Sequence, residues 1–274
     1  MKHFTRLTLG ILALCAGCET TVVTTEEPLS AVVAGFLVAG ENTLQIRLTS
    51  TIPYDTVENP AVYLADAQPV LTIASQSYPL TYTDSGYFEL RGVPLTAGDS
   101  CQLYFTFGDQ VVSAAAKVPP KPEGLTLSTS KVYMYRIEEG SFDIEALQAN
   151  MEQDPVEISW SQPGDAWFVV SVQNTAAEID WVSTLRRPGD STLYTRLSEA
   201  EISSSLALQA GFELQQFGRY RVIVYRVNPE YAAMLLDTGG DGFTLEEPVT
   251  NIVNGKGLFT CLNSDTAYFE VIER

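Results

Sequence analysis

Apolar residues recur along the chain in short runs that alternate with polar ones. In TLQIRLTS, Leu44, Ile46 and Leu48 share one side of an extended chain, which is the period of a half-buried strand. AVVAGFLVAG stands before this run, and VYLAD, PVLTIAS and YPLTYT come after it, with Gln76-Ser77 as the expected turn between the last two. DSGYFEL supplies a turn and a further strand. SCQLYFTF places Cys101, Leu103, Phe105 and Phe107 on one face, and Gly108-Asp109 joins it to QVVSAAAKV as a two-residue hairpin connection. Evenly spaced short strands of this kind predict a β-sandwich. The prolines of VPPKPEG, Val118 to Gly124, cannot enter a sheet interior and mark a boundary.

Beyond the boundary, VYMYRIE, PVEISWSQP, AWFVVSVQN and IDWVSTL read as strands, and RRPGDST as a loop. SEAEISSSLALQA is expected to form a short helix, because Ser198 and Glu201 have capping-box spacing. RYRVIVYRV is the strongest strand signal. Asn228 and Pro229 then open a short helix, PEYAAMLLD, with Asn228 as N-cap. GLFTCL and AYFEVI are expected to close the chain as a hairpin. The fold class is all-β: two Ig-like or fibronectin-like sandwiches in tandem, with one or two short helices in the second. The expected boundaries are a leader over 1–17, a tether over 18–29, a first sandwich over 30–118, a linker over 119–124 and a second sandwich over 125–274.

Charge narrows the partners. The formal net charge is -18, and removing Lys2 and Arg6 with the leader takes it to -20. Nucleic acid demands Lys and Arg for its phosphates, and anionic headgroups repel so acidic a surface. Lys2 and Arg6 precede the apolar run Leu7 to Leu14, and small residues Ala16 and Gly17 come after it. This is the layout of a cleaved leader, and the run is too short to span a bilayer. Ala-Gly-Cys at its end looks like a bacterial lipobox. Gly17 fits the cleavage position and Leu14 does not, so Cys15 leaves and Cys18 becomes the lipidated first residue. Stable anchoring needs more than one acyl chain. Glu19 after the cysteine favours an outer membrane, at its periplasmic or extracellular face.

Two subtractions limit the chemistry. The single histidine, His3, lies in the leader, so a mature chain cleaved before Cys18 has no imidazole for a Ser-His-Asp or Cys-His nucleophile or for a zinc site. Cys101 and Cys261 both sit in strand patterns on either side of the boundary. They read either as separate buried thiols or as a disulfide, which an oxidising compartment permits. Asp84-Ser85-Gly86 and Asp237-Thr238-Gly239 mimic the paired signature of aspartic proteases, but the first stands in a tight turn and the second ends a helix. DTGGDGFTLEEP resembles the start of a calcium loop. Asp237, Asp241, Glu246 and Glu247 are the candidate ligands, with Gly239 and Pro248 where the pattern wants oxygen. No cofactor is expected. Trp160 reads as core. Trp167, Trp181, Asp241 and Phe243 are candidates for a partner-binding face.

The stretch from VNPEYAAMLLD through EEPVTNIVNGKGLFTCLNSDTAYFEV, with the lipobox, AVVAGFL and the DSGYFEL and GDSCQLYF pair, resembles the Bacteroidota lipoprotein family called domain of unknown function 4249. Its most specific part here is Asn251 to Phe259, with Asn251, Gly255, Gly257 and Phe259 as the motif positions. The first half also resembles the prealbumin-like or carboxypeptidase-regulatory sandwich. The second resembles a fibronectin type III domain, with Trp160 as its early core Trp. The resemblance implies an outer-membrane lipoprotein working beside a TonB-dependent transporter of the starch-utilisation type, and implies no catalytic residues. A surface adhesin or scaffold is the alternative, and a carboxylate hydrolase the third. The Gly255 and Gly257 pair marks a place where backbone bends or lies close to another segment.

Overall fold

The computed structural model describes residues 29–52, 62–138, 140, 143–184, 192–237 and 249–274. The alternating runs become β1 (Ala31–Val38), β2 (Thr43–Ser50), β3 (Val70–Ile73), β4 (Gln76–Pro79), β5 (Thr81–Tyr82), β6 (Tyr87–Arg91), β7 (Ser100–Phe107) and β8 (Gln110–Lys117). The β7–β8 hairpin turns at Gly108-Asp109, with Gly108 at φ 58°. VYLAD contributes a single bridge from Tyr63 to Thr49 rather than a strand. The β3–β4 turn falls at Ala74-Ser75, both left-handed with φ 46° and 78°, so Gln76 and Ser77 belong to the strand.

The chain continues through β9 (Glu123–Leu127), β10 (Lys131–Met134), α1 (Ile144–Met151), β11 (Val156–Ser161), β12 (Trp167–Asn174), β13 (Asp180–Trp181), β14 (Thr195–Leu197), β15 (Ser205–Leu208), α2 (Ala210–Glu213), β16 (Gln216–Val227), α3 (Pro229–Asp237) and β17 (Gly255–Glu273). The helix expected over 198–210 is not formed. Residues 205–208 are β15, paired antiparallel with β11, and the Ser198 hydroxyl accepts from the Val170 N–H instead of capping a helix. Pairing with β11 outweighs the local capping pattern. α1 was not expected; Asp143 caps it by accepting from the Ala146 N–H at 3.0 Å.

The expected closing hairpin is replaced by one strand of 19 residues, β17. Its first part runs parallel to β1, from Ala31 opposite Gly255 to Val38 opposite Leu262. Its second part runs antiparallel to β16, from Asn263 to Val271, and parallel to β10 at its end. Asn263-Ser264-Asp265 resembles a turn, yet it stays extended because the linker holds it. The Asn263 side chain donates to the Pro119 carbonyl at 2.9 Å, and Lys121 pairs with Asp265 at 2.9 Å.

β17 thereby joins two sandwiches. In the first, the sheet β17–β1–β2–β6–β5 faces β4–β3–β7–β8. Its core holds Leu37, Ile46, Leu71, Phe88, Leu103 and Phe105, with Ile252, Phe259 and Cys261 supplied from beyond the linker. In the second, β14–β12–β16–β17 faces β15–β11–β9, around Trp160, Phe168, Tyr220 and Phe269. Tyr220 is fully buried, and its hydroxyl donates to the Gln216 carbonyl at 2.8 Å, the kind of bond that Ig-like sandwiches use at a tyrosine corner. Burial pushes its phenol above the ordinary range. A third, smaller core of Val169, Val227, Ala232 and Leu262 lies under α3, where Phe36 of β1 meets Tyr231 edge-on at 5.4 Å. The middle of β16, Val222 to Val224, is therefore buried on both faces.

Candidate functional site

The end of β8, the prolines of the linker, the loop before β12, the end of β16 and the start of α3 enclose a cleft of about 580 Å³ between the two sandwiches. Trp167 enters it at the head of β12, half-buried and packed against the third core. Lys117, Asp165 and Arg226, two cationic residues and one anionic, also line the cleft, and Pro119 forms part of its wall. A hollow of about 280 Å³ adjoins it, sharing Pro120, Pro163 and Arg226.

Asn228 sets the geometry of this cleft. The sequence marks it as an N-cap, and its backbone carbonyl accepts from the Tyr231 and Ala232 N–H groups at the start of α3, both at 3.1 Å. Its side-chain amide donates to the Lys117 carbonyl at 3.0 Å and the Cys261 carbonyl at 3.2 Å. One side chain thus ties the start of α3 to both sheets of the first sandwich. The Thr260 hydroxyl, fully buried, donates to Glu230 at 3.0 Å and fixes the same helix from below. Residue type alone gave no signal for this second use of Asn228. Nor did the sequence single out Lys117, Asp165 or Arg226.

Trp167 and Trp181 do not share a face of the cleft. Trp167 stands opposite Val227 and Trp181 opposite Gln216, at the two ends of β16, roughly 35 Å of strand apart. Beside Trp181, Arg136 makes bidentate contacts with Asp180 and Glu273 and lies 4.7 Å over the Phe217 ring. Hydrogen bonds from Arg136 hold both carboxyls below their usual range, and the two anions hold the guanidinium above its own. This is a clamp between β13, the end of β17 and the segment after β10.

The motif at 251–259 is a strap across the first sandwich. Val253 exchanges both backbone hydrogen bonds with Ser113 of β8. Asn254, at φ 58°, donates its amide to the Val111 carbonyl, and the chain then enters β17 in the opposite sheet. Gly257 has φ 95°, and a Cβ there would overlap the Val33 carbonyl. Gly255 lies against Ile252, Ala31 and Val112. The Asn251 side chain pairs like a strand residue with the backbone of Phe259, donating at 2.7 Å and accepting at 2.9 Å.

The protease-like aspartates lie on separate elements. Asp84 accepts from the Ser85 N–H within the β5–β6 turn, and Asp237 ends α3. Cys18, Asp241, Phe243, Glu246 and Glu247 lie outside the described residues. Among the described residues, no group of three His, Cys, Asp or Glu side chains is placed to hold a metal.

A family model described as "Domain of unknown function (DUF4249)" matches residues 19–266. The chain belongs to the DUF4249 family. The match takes in both sandwiches, the cleft and the 251–259 strap of this DUF4249 chain. No curated protein sequence matches it. Among solved structures it is similar to murine CEACAM1b, at 9% identity and TM-score 0.24, covering 89% of this chain and 100% of that one. It is also similar to the central fibronectin-III array of RIM-binding protein, at 10% identity and TM-score 0.24, covering 89% and 69%. Scores of this size carry no argument about function. The sandwich class rests on the strand pairings.

Proposed function

We propose that the protein is an outer-membrane lipoprotein, anchored through Cys18, that acts as a non-catalytic binding or assembly partner of a TonB-dependent transporter of the starch-utilisation type. One observation carries the reading: the family match begins at Glu19, the residue after the lipobox cysteine. Residues 1–17 have the composition of a leader, and the shared DUF4249 region starts directly after Cys18. Among the described residues, no helix is long and apolar enough to cross a membrane, so anchoring falls to the lipid. The cleft around Trp167 is our assigned contact for the partner. A half-buried indole among prolines, with cationic and anionic groups at the rim, suits an extended protein segment whose side chains alternate in character. Asp241 and Phe243 are further contacts proposed on sequence grounds.

The test is affinity purification of the full chain from detergent-solubilised native membranes, beside Trp167→Ala and Cys18→Ala. A co-purifying β-barrel transporter, lost with Trp167→Ala in a chain that still folds and unfolds cooperatively, is the expected result. Cys18→Ala is expected to leave the membrane fraction. A self-polymer with no barrel partner would replace this reading with the adhesin or scaffold.

A further inference from the structure

Cys101 and Cys261 stand on opposite sides of the linker in sequence, on strands that local pattern assigns to different units. The structure brings them together. Cys101 lies in β7, opposite Ile73 and Ala116 of its own sheet. Cys261 lies in β17, opposite Leu37 of β1 in the facing sheet. Both are fully buried in the first core, and both are free thiols. Asn228 bonds at once to the Cys261 carbonyl and to the carbonyl of Lys117, the residue after Cys101's partner Ala116, so the two cysteines enter the same core at the same end from facing sheets.

We infer that Cys101 and Cys261 form an inter-sheet disulfide in the exported protein, locking β17 into the first sandwich. The inference rests on the proposed export, because an envelope compartment supplies the oxidant and the cytosol keeps such thiols reduced. The oxidant is a protein disulfide of that compartment. One cysteine thiolate attacks it to give a mixed disulfide, and the second cysteine displaces the carrier. Two S–H bonds are lost and one S–S bond forms. The two electrons reduce the carrier to a dithiol, and the protons go to solvent and carrier. The order of events comes from burial. Both thiols have no solvent exposure once β17 is packed, out of reach of a carrier protein, so attack on the carrier precedes the docking of β17. Since β17 is synthesised after every other strand of the first sandwich, the bond closes as the final step in assembling that unit.

The bond has a structural consequence. The loop it closes contains the linker and the second sandwich from β9 to β16, leaving the second part of β17 outside it. The crosslink therefore fixes the first sandwich to the strand that the second uses as its own, and with it the walls of the Trp167 cleft.

The experiment is peptide mapping and intact mass of the full chain from native envelopes, denatured in excess alkylating agent without reductant. The expected result is a crosslinked peptide joining Cys101 to Cys261, with neither alkylated until a reductant is added. Reduction is expected to lower the melting temperature by about 5–15 °C, and Cys261→Ala to melt near the reduced protein and no longer respond to reductant. Both thiols alkylated in a chain whose leader has been removed would overturn the inference. The same spectrum reads the leader. Residues 1–17 still attached would instead overturn the export reading, and refolding that chain with oxidised glutathione then decides the pairing. A 101–261 crosslink supports it, and free thiols or glutathione adducts overturn it.

Discussion

The two parts of β17 are continuous in backbone and opposite in character. From Leu258 to Asn263 every residue is buried, whereas from Thr266 the burial alternates, with Phe269 and Val271 inward and Tyr268 and Glu270 outward. The difference comes from what lies on each face. In the first part, Phe259 and Cys261 point into the first core, while Thr260 and Leu262 meet Glu230 and the core beneath α3. In the second part, one face meets the second core and the other meets solvent. A run such as LFTCLN, apolar without alternation, marks a strand covered on both faces. A run such as AYFEVIE marks the ordinary wall of a sandwich. Within one strand, the first pattern shows where the chain is gripped and the second where it forms a surface.

Breaking the gripped part is expected to cost most. Gly257→Ala forces a side chain into left-handed backbone and against the Val33 carbonyl. The expected loss is about 3 kcal/mol or more in denaturant unfolding, with the Cys101–Cys261 contact disrupted. Asn251→Ala removes the amide that serves both backbone groups of Phe259, a residue with no solvent exposure to replace them. Its expected cost is about 2 kcal/mol.

The surface-forming part is expected to tolerate more. Arg136→Met leaves Asp180 and Glu273 without their partner at the end of β17. All three groups reach solvent, so screening makes this the smallest of the three losses at neutral pH. Both carboxyls are depressed below their ordinary values of 3.8 and 4.5 by Arg136. Their contribution is complete above those values and is lost as pH falls through the lower folded ones. The difference between wild type and Arg136→Met is therefore expected to shrink as the pH is lowered below those ordinary values, as read by chemical denaturation across pH. An unchanged difference there would assign the loss to packing of Arg136 on Phe217.

The same contrast explains what the sequence made legible. The Gly108-Asp109 hairpin, β16 and α3 could be read from local residues because a turn glycine, an alternating run and an Asn-Pro start are local signals. The continuity of β17 could not. Asn263-Ser264-Asp265 has turn chemistry, and only the distant Pro119 carbonyl and Lys121 hold it straight. β15 was hidden for a similar reason: the capping-box residues before it, Ser198 and Glu201, both bond to β12, and β15 itself pairs with the distant β11. Of the cleft, Trp167 alone was visible. Asn228 was legible as a helix start but not as the tie between α3, β8 and β17, and the meeting of Cys101 with Cys261 depends on the same long-range strand. Gly257 was legible as a close approach, though Val33 as its neighbour was not.

The central claim is that β17 makes the two sandwiches one mechanical unit, and native-state hydrogen exchange tests it most directly. Amides of β7, in the first sandwich, are to be followed against those of β11, in the second; β17 touches each sheet's partner but belongs to neither of these. The account predicts that both sets open with the same free energy and the same denaturant dependence, and that Gly257→Ala lowers both together. If β11 keeps its protection while β7 loses it, the sandwiches are independent and β17 merely passes between them.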